Sequence, residues 1–321
     1  MKKERRINEE INTNEEALAD TVQERDGDKA QEDKTKKKKS GSASTVILVL
    51  IMLIGLGVFL YPAVSDWWNS MHASRAIAGY VDAVDEMSEA EKEAMIEAAR
   101  LYNESLPEGV HFNLSDEEYA EYESILDVTG TGIMGYIQIP SIGVNLPVYH
   151  GVDEGVLQIA AGHIPGSSFP IGGDGVHSIM SGHRGLPSAK LFSDLDKLDE
   201  GDIFTVTVLD DTITYMVDQI RIVLPEETEE LGIVNGKDYA TLVTCTPYGI
   251  NSHRILMRGH RIAGLDGIAA PAEAVRIPVY IVIPAIGIPM LFLLLAGMLI
   301  YYRRRGPVKS EEQLLDEMRK G

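Results

Sequence analysis

Two stretches of this chain show no alternation of apolar and polar positions at all. Residues 43–64 (ASTVILVLIMLIGLGVFLYPAV) and 278–302 (PVYIVIPAIGIPMLFLLLAGMLIYY) run for 22 and 25 residues without a charged side chain. A helix needs about 20 apolar residues to cross a bilayer, and a core helix usually keeps one polar face, so both are read as membrane spans. Pro284 and Pro289 in the second are tolerated in spanning helices. Trp67 and Trp68 follow the first span and Tyr301 and Tyr302 close the second, the places of an interfacial aromatic belt. Lys34 and Lys36 to Lys39 precede the first span and Arg303 to Arg305 follow the second. Basic flanks stay in the cytoplasm, which puts both termini inside and residues 65–277 outside the cell membrane. The competing reading of 43–64 is a signal peptide with a loose cleavage site at Ala63-Val64-Ser65. A 42-residue leader is far longer than the basic region of such a peptide.

Between the spans the periodicity changes twice. Ala73, Ala76, Ile77, Tyr80, Ala83, Val84 and Met87 recur at three-and-four spacing and predict a helix over 72–87. Ser88 and Glu91 form a capping-box pattern that starts a second helix, with Ala94, Met95, Ala98, Leu101 and Tyr102 on its apolar face. Residues 103–131 are mixed, with a short helix in DEEYAEYESIL. From 132 onward the text breaks into short β-type runs bounded by Gly, Pro and Asp: 133–139, 145–149, 156–160, 176–181, 203–209, 213–222, 239–245 and 255–261. Eight such runs predict a mainly β domain, a closed barrel or a sandwich.

Charge sharpens this division. The chain of 321 residues has 29 Lys+Arg and 49 Asp+Glu, a net charge of −20, which argues against nucleic acid as a partner. The leader, 1–42, balances 11 basic against 11 acidic residues and has no apolar periodicity, so it reads as disordered. Residues 65–277 hold 12 basic against 34 acidic residues, so the acidity is all in the outer part. Such a surface stays soluble near anionic lipid and attracts basic partners; a merely solvated surface is the plainer reading. The tail, 303–321, contains one or two amphipathic turns capped by Ser310.

The candidate chemistry lies in the β region. Cys245, the only cysteine, ends the run TLVTC. It excludes an internal disulfide and a zinc site built on two or more thiolates. A lone buried cysteine is often a small core residue. Eight residues, TPYGINSH, follow it, and then Arg254 opens the next β run. If the two runs pair as an antiparallel hairpin, Cys245 and Arg254 share one rim, where a guanidinium stabilises a thiolate or an oxyanion. Of eight histidines, His183 in Met-Ser-Gly-His-Arg-Gly stands at a strand end before a glycine-flanked loop. His150 and His163 are its rivals. No pair of His, Asp or Glu shows metal-ligand spacing such as HExxH, and no cofactor motif is found.

SGHRG (181–185) and TLVTCTPYGINSHRILMRGHR (241–261) closely resemble the sortases. GYIQIPSIGVNLPVYHG (135–151) and RGLPSAKLFSDLDKL (184–198) look like class C, the pilus-assembling sortases. The resemblance covers roughly 130–265. It implies an eight-stranded closed β-barrel over 132–265 with a helical N-terminal extension (65–131), a linker (266–277) and the two flanking spans. It implies Cys245 as nucleophile, His183 as acid/base and Arg254 as the residue that positions substrate and steadies the oxyanion, with Thr244 and Tyr248 as flanking substrate contacts. The reaction implied is a transpeptidation without cofactor. Cys245 attacks the Thr–Gly carbonyl of an LPxTG-like sorting signal on a pilin or surface protein, and a lysine amine resolves the thioester. Anchoring to cell-wall peptide is the close alternative, a cysteine protease using water a weaker one. A non-catalytic membrane-tethered binding module is the distant one. Many class C members carry a lid anchored by Asp-Pro-aromatic, and this chain has no Asp-Pro pair. In the corresponding stretch (108–122), Phe112 or Tyr119 is a candidate plug and Asp116 a candidate partner of Arg254, against the alternative of ordinary loop and helix positions. Residues 103–118 are expected to cover the site.

Overall fold

The computed structural model describes residues 40–107, 109–262, 264 and a few isolated positions beyond. The chain divides into two compact units, Met1–Leu60 and Tyr61–Gly321. The leader, the linker, nearly all of the 278–302 run and the tail lie outside the described residues. Among the described residues one helix is long and apolar enough to cross a membrane, and the most apolar part of it is unburied.

That helix, α1 (Ser40–Glu86), is a single element with Pro62 inside it, where a span and a separate helix over 72–87 were expected. No helix-terminating signal stands between them, since Trp67 to His72 contains neither Gly nor Pro. The predicted face is the buried one: Ala73, Tyr80 and Val84 are 5%, 1% and 2% exposed. The Tyr80 hydroxyl donates to the Met134 carbonyl (3.0 Å) and accepts from the Leu209 amide (2.8 Å), which locks α1 to the barrel.

Helix α2 (Glu89–Ser105) starts with the expected box, Ser88 and Glu91 each satisfying the other's backbone amide, a cap whose loss costs about 1 kcal/mol. Its buried face is rotated from the predicted one. Ala99, Tyr102 and Asn103 are buried, while Leu101 is 53% exposed. Asn103 causes the rotation: its amide pairs with both backbone groups of Phe169 (3.1 and 2.7 Å), a demand that an apolar count does not register. Helix α3 (Asp116–Ser124) repeats the box with Ser115 and Glu118.

Eight strands follow: β1 (Ile133–Ile139), β2 (Val144–His150), β3 (Ala161–His163), β4 (Val176–Ser181), β5 (Ile203–Val208), β6 (Asp211–Val223), β7 (Asp238–Thr246) and β8 (His253–Arg261). They close in the order β1-β2-β3-β4-β7-β8-β6-β5, with β5 returning to β1. The barrel is therefore the closed form of the two forms expected. One expected strand fails. Residues 156–160 belong to a short helix, α4 (Glu154–Leu157), and its tail, and the strand begins at Ala161. Asp153 precedes a glutamate in the first turn there, a helix-start pattern that outweighs the four apolar residues among the five at 156–160.

The core fills the barrel and continues under α1, α2 and α3. A second, smaller cluster of Ile179, Leu231, Val243 and Leu256 lies on the opposite face of β4, β7 and β8, with Phe112, Ile164 and Val223 packed against it. Strand β7 is thus buried on both faces, without a break from Tyr239 to Thr244.

Candidate active site

The hairpin expected from spacing is present. Strands β7 and β8 pair antiparallel, and Cys245 stands directly opposite Arg254. Side chains alternate across a strand, so Thr241, Val243 and Cys245 share one face with Arg258, Leu256 and Arg254. Cys245 is a free, partly exposed thiol. The Arg254 guanidinium is held at the rim by the carbonyls of Asn251 and His253, each 3.1 Å from Nη1.

His183 comes to this rim through the parallel pairing of β4 with β7, in which Ser181 stands opposite Val243. The Gly182 amide donates to the Val243 carbonyl (3.1 Å), and the Thr244 hydroxyl donates to the Gly182 carbonyl (2.7 Å). Carried on two residues, the register sets His183 beside Cys245. The His183 carbonyl in turn accepts from the Phe192 amide (3.1 Å). A side chain at Gly182 would meet the buried Phe192 ring at 2.6 Å, so only glycine lets the chain pass here. The histidine therefore sits on a turn pinned from both sides, as a positioned acid/base requires.

Sequence reasoning missed a neighbour. Glu154 Oε2 lies 3.6 Å from His183 Nε2, while its other oxygen accepts from Gln158 Nε2 at 2.8 Å. Gln158 first, and His183 after it, hold the Glu154 carboxyl below the usual carboxylate range. The signal was the same helix start at Asp153 that the strand reading of 156–160 overlooked. Arg184, the next residue, reaches the Thr246 hydroxyl (3.1 Å) and pairs with Asp196, which ties the His183 turn to the end of β7.

The remaining candidates separate. Thr244 is 1% exposed and points away from the face of Cys245, and its hydroxyl, expected at the substrate, donates to the Gly182 carbonyl. Tyr248 is 64% exposed, and its ring stands over Gly185 beside the His183 turn. Phe112 packs on the second cluster, one row of side chains below Cys245 and Arg254. The carbonyl of His111 presses so closely on Gly166 that no side chain fits between them. Asp116 opens α3 and makes no ion pair with Arg254, whose Nη1 is taken by backbone carbonyls. Tyr119 packs on the main core near Gly151 and Tyr122, not over the cysteine. The rival histidines are structural. His150 bonds the carbonyls of Gly132 and Ile125, at 2.9 and 2.7 Å. His163 is fully buried against Tyr122 and the Ser168 carbonyl, and burial pushes it down to about 3. Among the described residues no group of three His, Cys, Asp or Glu is arranged to hold a metal ion.

A family model described as a sortase domain matches residues 137–262. The solved sortase C1 of Streptococcus agalactiae is 54% identical, covers 59% of this chain and 98% of its own, and superposes with a TM-score of 0.57. The chain belongs to the sortase family. A sortase C of Streptococcus pneumoniae, whose description names pilin substrate specificity, is 44% identical with a TM-score of 0.54, covering 59% of this chain and 96% of its own. Curated relatives match over a shorter stretch of the chain. Sortase A of Streptococcus agalactiae is 33% identical over 117 residues, 36% of this sortase and 47% of the relative, and sortase D of Bacillus subtilis is 27% identical over 131 residues, 40% and 63%. This sortase thus spans about half to two thirds of the length of those curated relatives.

Proposed function

We propose that this sortase is a membrane-anchored cysteine transpeptidase of the class C, pilin-joining kind. The pairing of Cys245 with Arg254 on adjacent strands, with the His183 turn bonded to the same strand, carries this reading. Cys245 Sγ attacks the Thr carbonyl carbon of an LPxTG-like signal, and the oxyanion that forms is met by the Arg254 guanidinium. The Thr–Gly bond breaks, and His183 gives its proton to the departing amine. The thioester keeps the acyl group activated, so no nucleotide is consumed. A lysine amine of the next pilin subunit then attacks, His183 takes its proton, and the thiolate leaves. The chain is held by the span near residues 43–64, with the barrel outside the cell, and 278–302 is the second anchor.

The His111–Phe112 segment acts as the cover of the site. Phe112 packs against Val243 and Leu256, on the sheet face that bears Cys245 and one row below it, which supports reading it as the plug. Water kept from that face leaves the amine as the favoured acceptor.

Mass spectrometry of the full chain in detergent with an LPxTG-type peptide tests the reading. A thioacyl adduct on Cys245 is expected, absent in Cys245→Ala and strongly reduced in His183→Ala and Arg254→Ala. A freely alkylated thiol that forms no adduct with any sorting peptide overturns it. Release of the acyl product by water alone, with lysine amines and wall peptides ignored, points to the protease instead.

A further inference from the structure

The helix that leaves the first apolar run does not merely precede the barrel. One turn past that run, it bonds the loop that carries His183. Asn69 Nδ2 donates to the Ser188 carbonyl (2.8 Å), and the Lys190 amide donates to Asp66 Oδ1 (2.7 Å). Asp66 and Asn69 are three residues apart and begin the same face that Ala73 and Tyr80 bury. Trp67 and Trp68, on the other side of this turn, are 42% and 57% exposed.

We propose that the β4–β5 connection, residues 184–193, lies against the lipid headgroups, clamped there by Asp66 and Asn69. The proposal rests on the membrane-anchored reading above. Chain geometry limits the distances. Asn69 is five residues past Val64, a rise of about 8 Å along the helix. Ser188 is five residues past His183, a reach of at most about 18 Å. The loop at Ser188 therefore stands close above the bilayer, and His183 lies within about 18 Å of that loop. Charge agrees with this placement. Residues 184–199 balance three basic against three acidic side chains, inside an outer segment that carries 12 against 34. A neutral loop approaches an anionic surface that would repel the rest of the domain. The functional sense is access: a substrate still tethered by its own apolar segment presents its cleavage site at the same height.

The single native cysteine makes the test direct. In a Cys245→Ala background, Ser70→Cys, Lys190→Cys and Asp174→Cys each receive one fluorophore, and the full chain is reconstituted into phosphatidylcholine–phosphatidylglycerol vesicles. Asp174 precedes β4, at the opposite end of that strand from His183. A choline-headgroup nitroxide lipid is the quencher. Strong quenching is expected at positions 70 and 190 and little at 174. Adding Asp66→Ala with Asn69→Ala should cut the quenching at 190 severalfold and leave 70 unchanged. Quenching at 70 with 190 behaving like 174 overturns the proposal and leaves the anchor standing. An unquenched position 70 overturns the anchor itself and the proposal with it.

Discussion

Around the reacting thiol, small groups do work that their types do not advertise. Thr244 stands next to the nucleophile in sequence yet faces the barrel, and its hydroxyl fixes the carbonyl of Gly182, one residue before His183. Thr244→Val keeps the shape and removes that bond, a loss of about 1 kcal/mol by the usual worth of such a contact. The expected result is a Tm lower by about 2–4 °C together with a fall in kcat of about fivefold, read by single-turnover kinetics. Glu154 acts from outside. Its exposed carboxylate faces His183 Nε2 at 3.6 Å, so Glu154→Gln should lower kcat/KM by no more than about fivefold. The deficit should shrink as salt rises, because exposed charges are screened. A deficit independent of ionic strength would assign Glu154 a packing role instead. Legibility differs just as much: spacing put Cys245 and Arg254 on one rim and the family resemblance singled out His183, while Glu154 is 29 residues from its partner and meets it only through α4.

At the scale of elements, the His111–Phe112 segment is placed by a close approach. It passes Gly166 with no room for a methyl group, and Gly166 itself holds φ +83°. Gly166→Ala should therefore lift the segment from the sheet face. The prediction is faster alkylation of Cys245 by a small reagent, with Phe112→Ala acting in the same direction. Unchanged thiol reactivity in both variants removes the segment from any covering role. The helices teach a related lesson. The Ser88–Glu91 box was readable because Ser and Glu three residues apart satisfy each other locally, and the Ser115–Glu118 box, unread, follows the same local rule. The true face of α2 was not, since Asn103 takes its place through a bond to Phe169, 66 residues away.

For the whole molecule, the joint between helices and barrel is a cluster of Tyr102, Tyr122, His150, His163 and Phe169. Within it His163 is buried and pushed from 6.5 down to about 3. A histidine whose folded value lies below its unfolded one costs nothing above pH 6.5. As pH falls from 6.5 toward 3 the unfolded chain takes up a proton that the folded one refuses, and stability is lost. The slope for one proton is about 1.4 kcal/mol per pH unit. His177, lowered by burial as well, adds to it. Urea unfolding between pH 6.5 and 4 should show this decline, and His163→Gln should flatten it while lowering stability at pH 7. An equal slope in the variant would place the acid sensitivity elsewhere.

Local pattern alone determined the apolar run at the start of α1, the two capped helices, seven of the eight strand positions and the Cys245–Arg254 hairpin. Each depends on neighbours within a few residues or on one tight turn. The tertiary structure alone decided the rest. Barrel closure through β5 and β1, the parallel pairing that sets His183 beside Cys245, the inward turn of Thr244, and the bond from Asn69 to the His183 loop all join residues far apart in the chain. Such contacts depend on which surfaces meet when the core is buried, and a linear pattern of apolar and polar positions carries the period of a strand but not the identity of its neighbour.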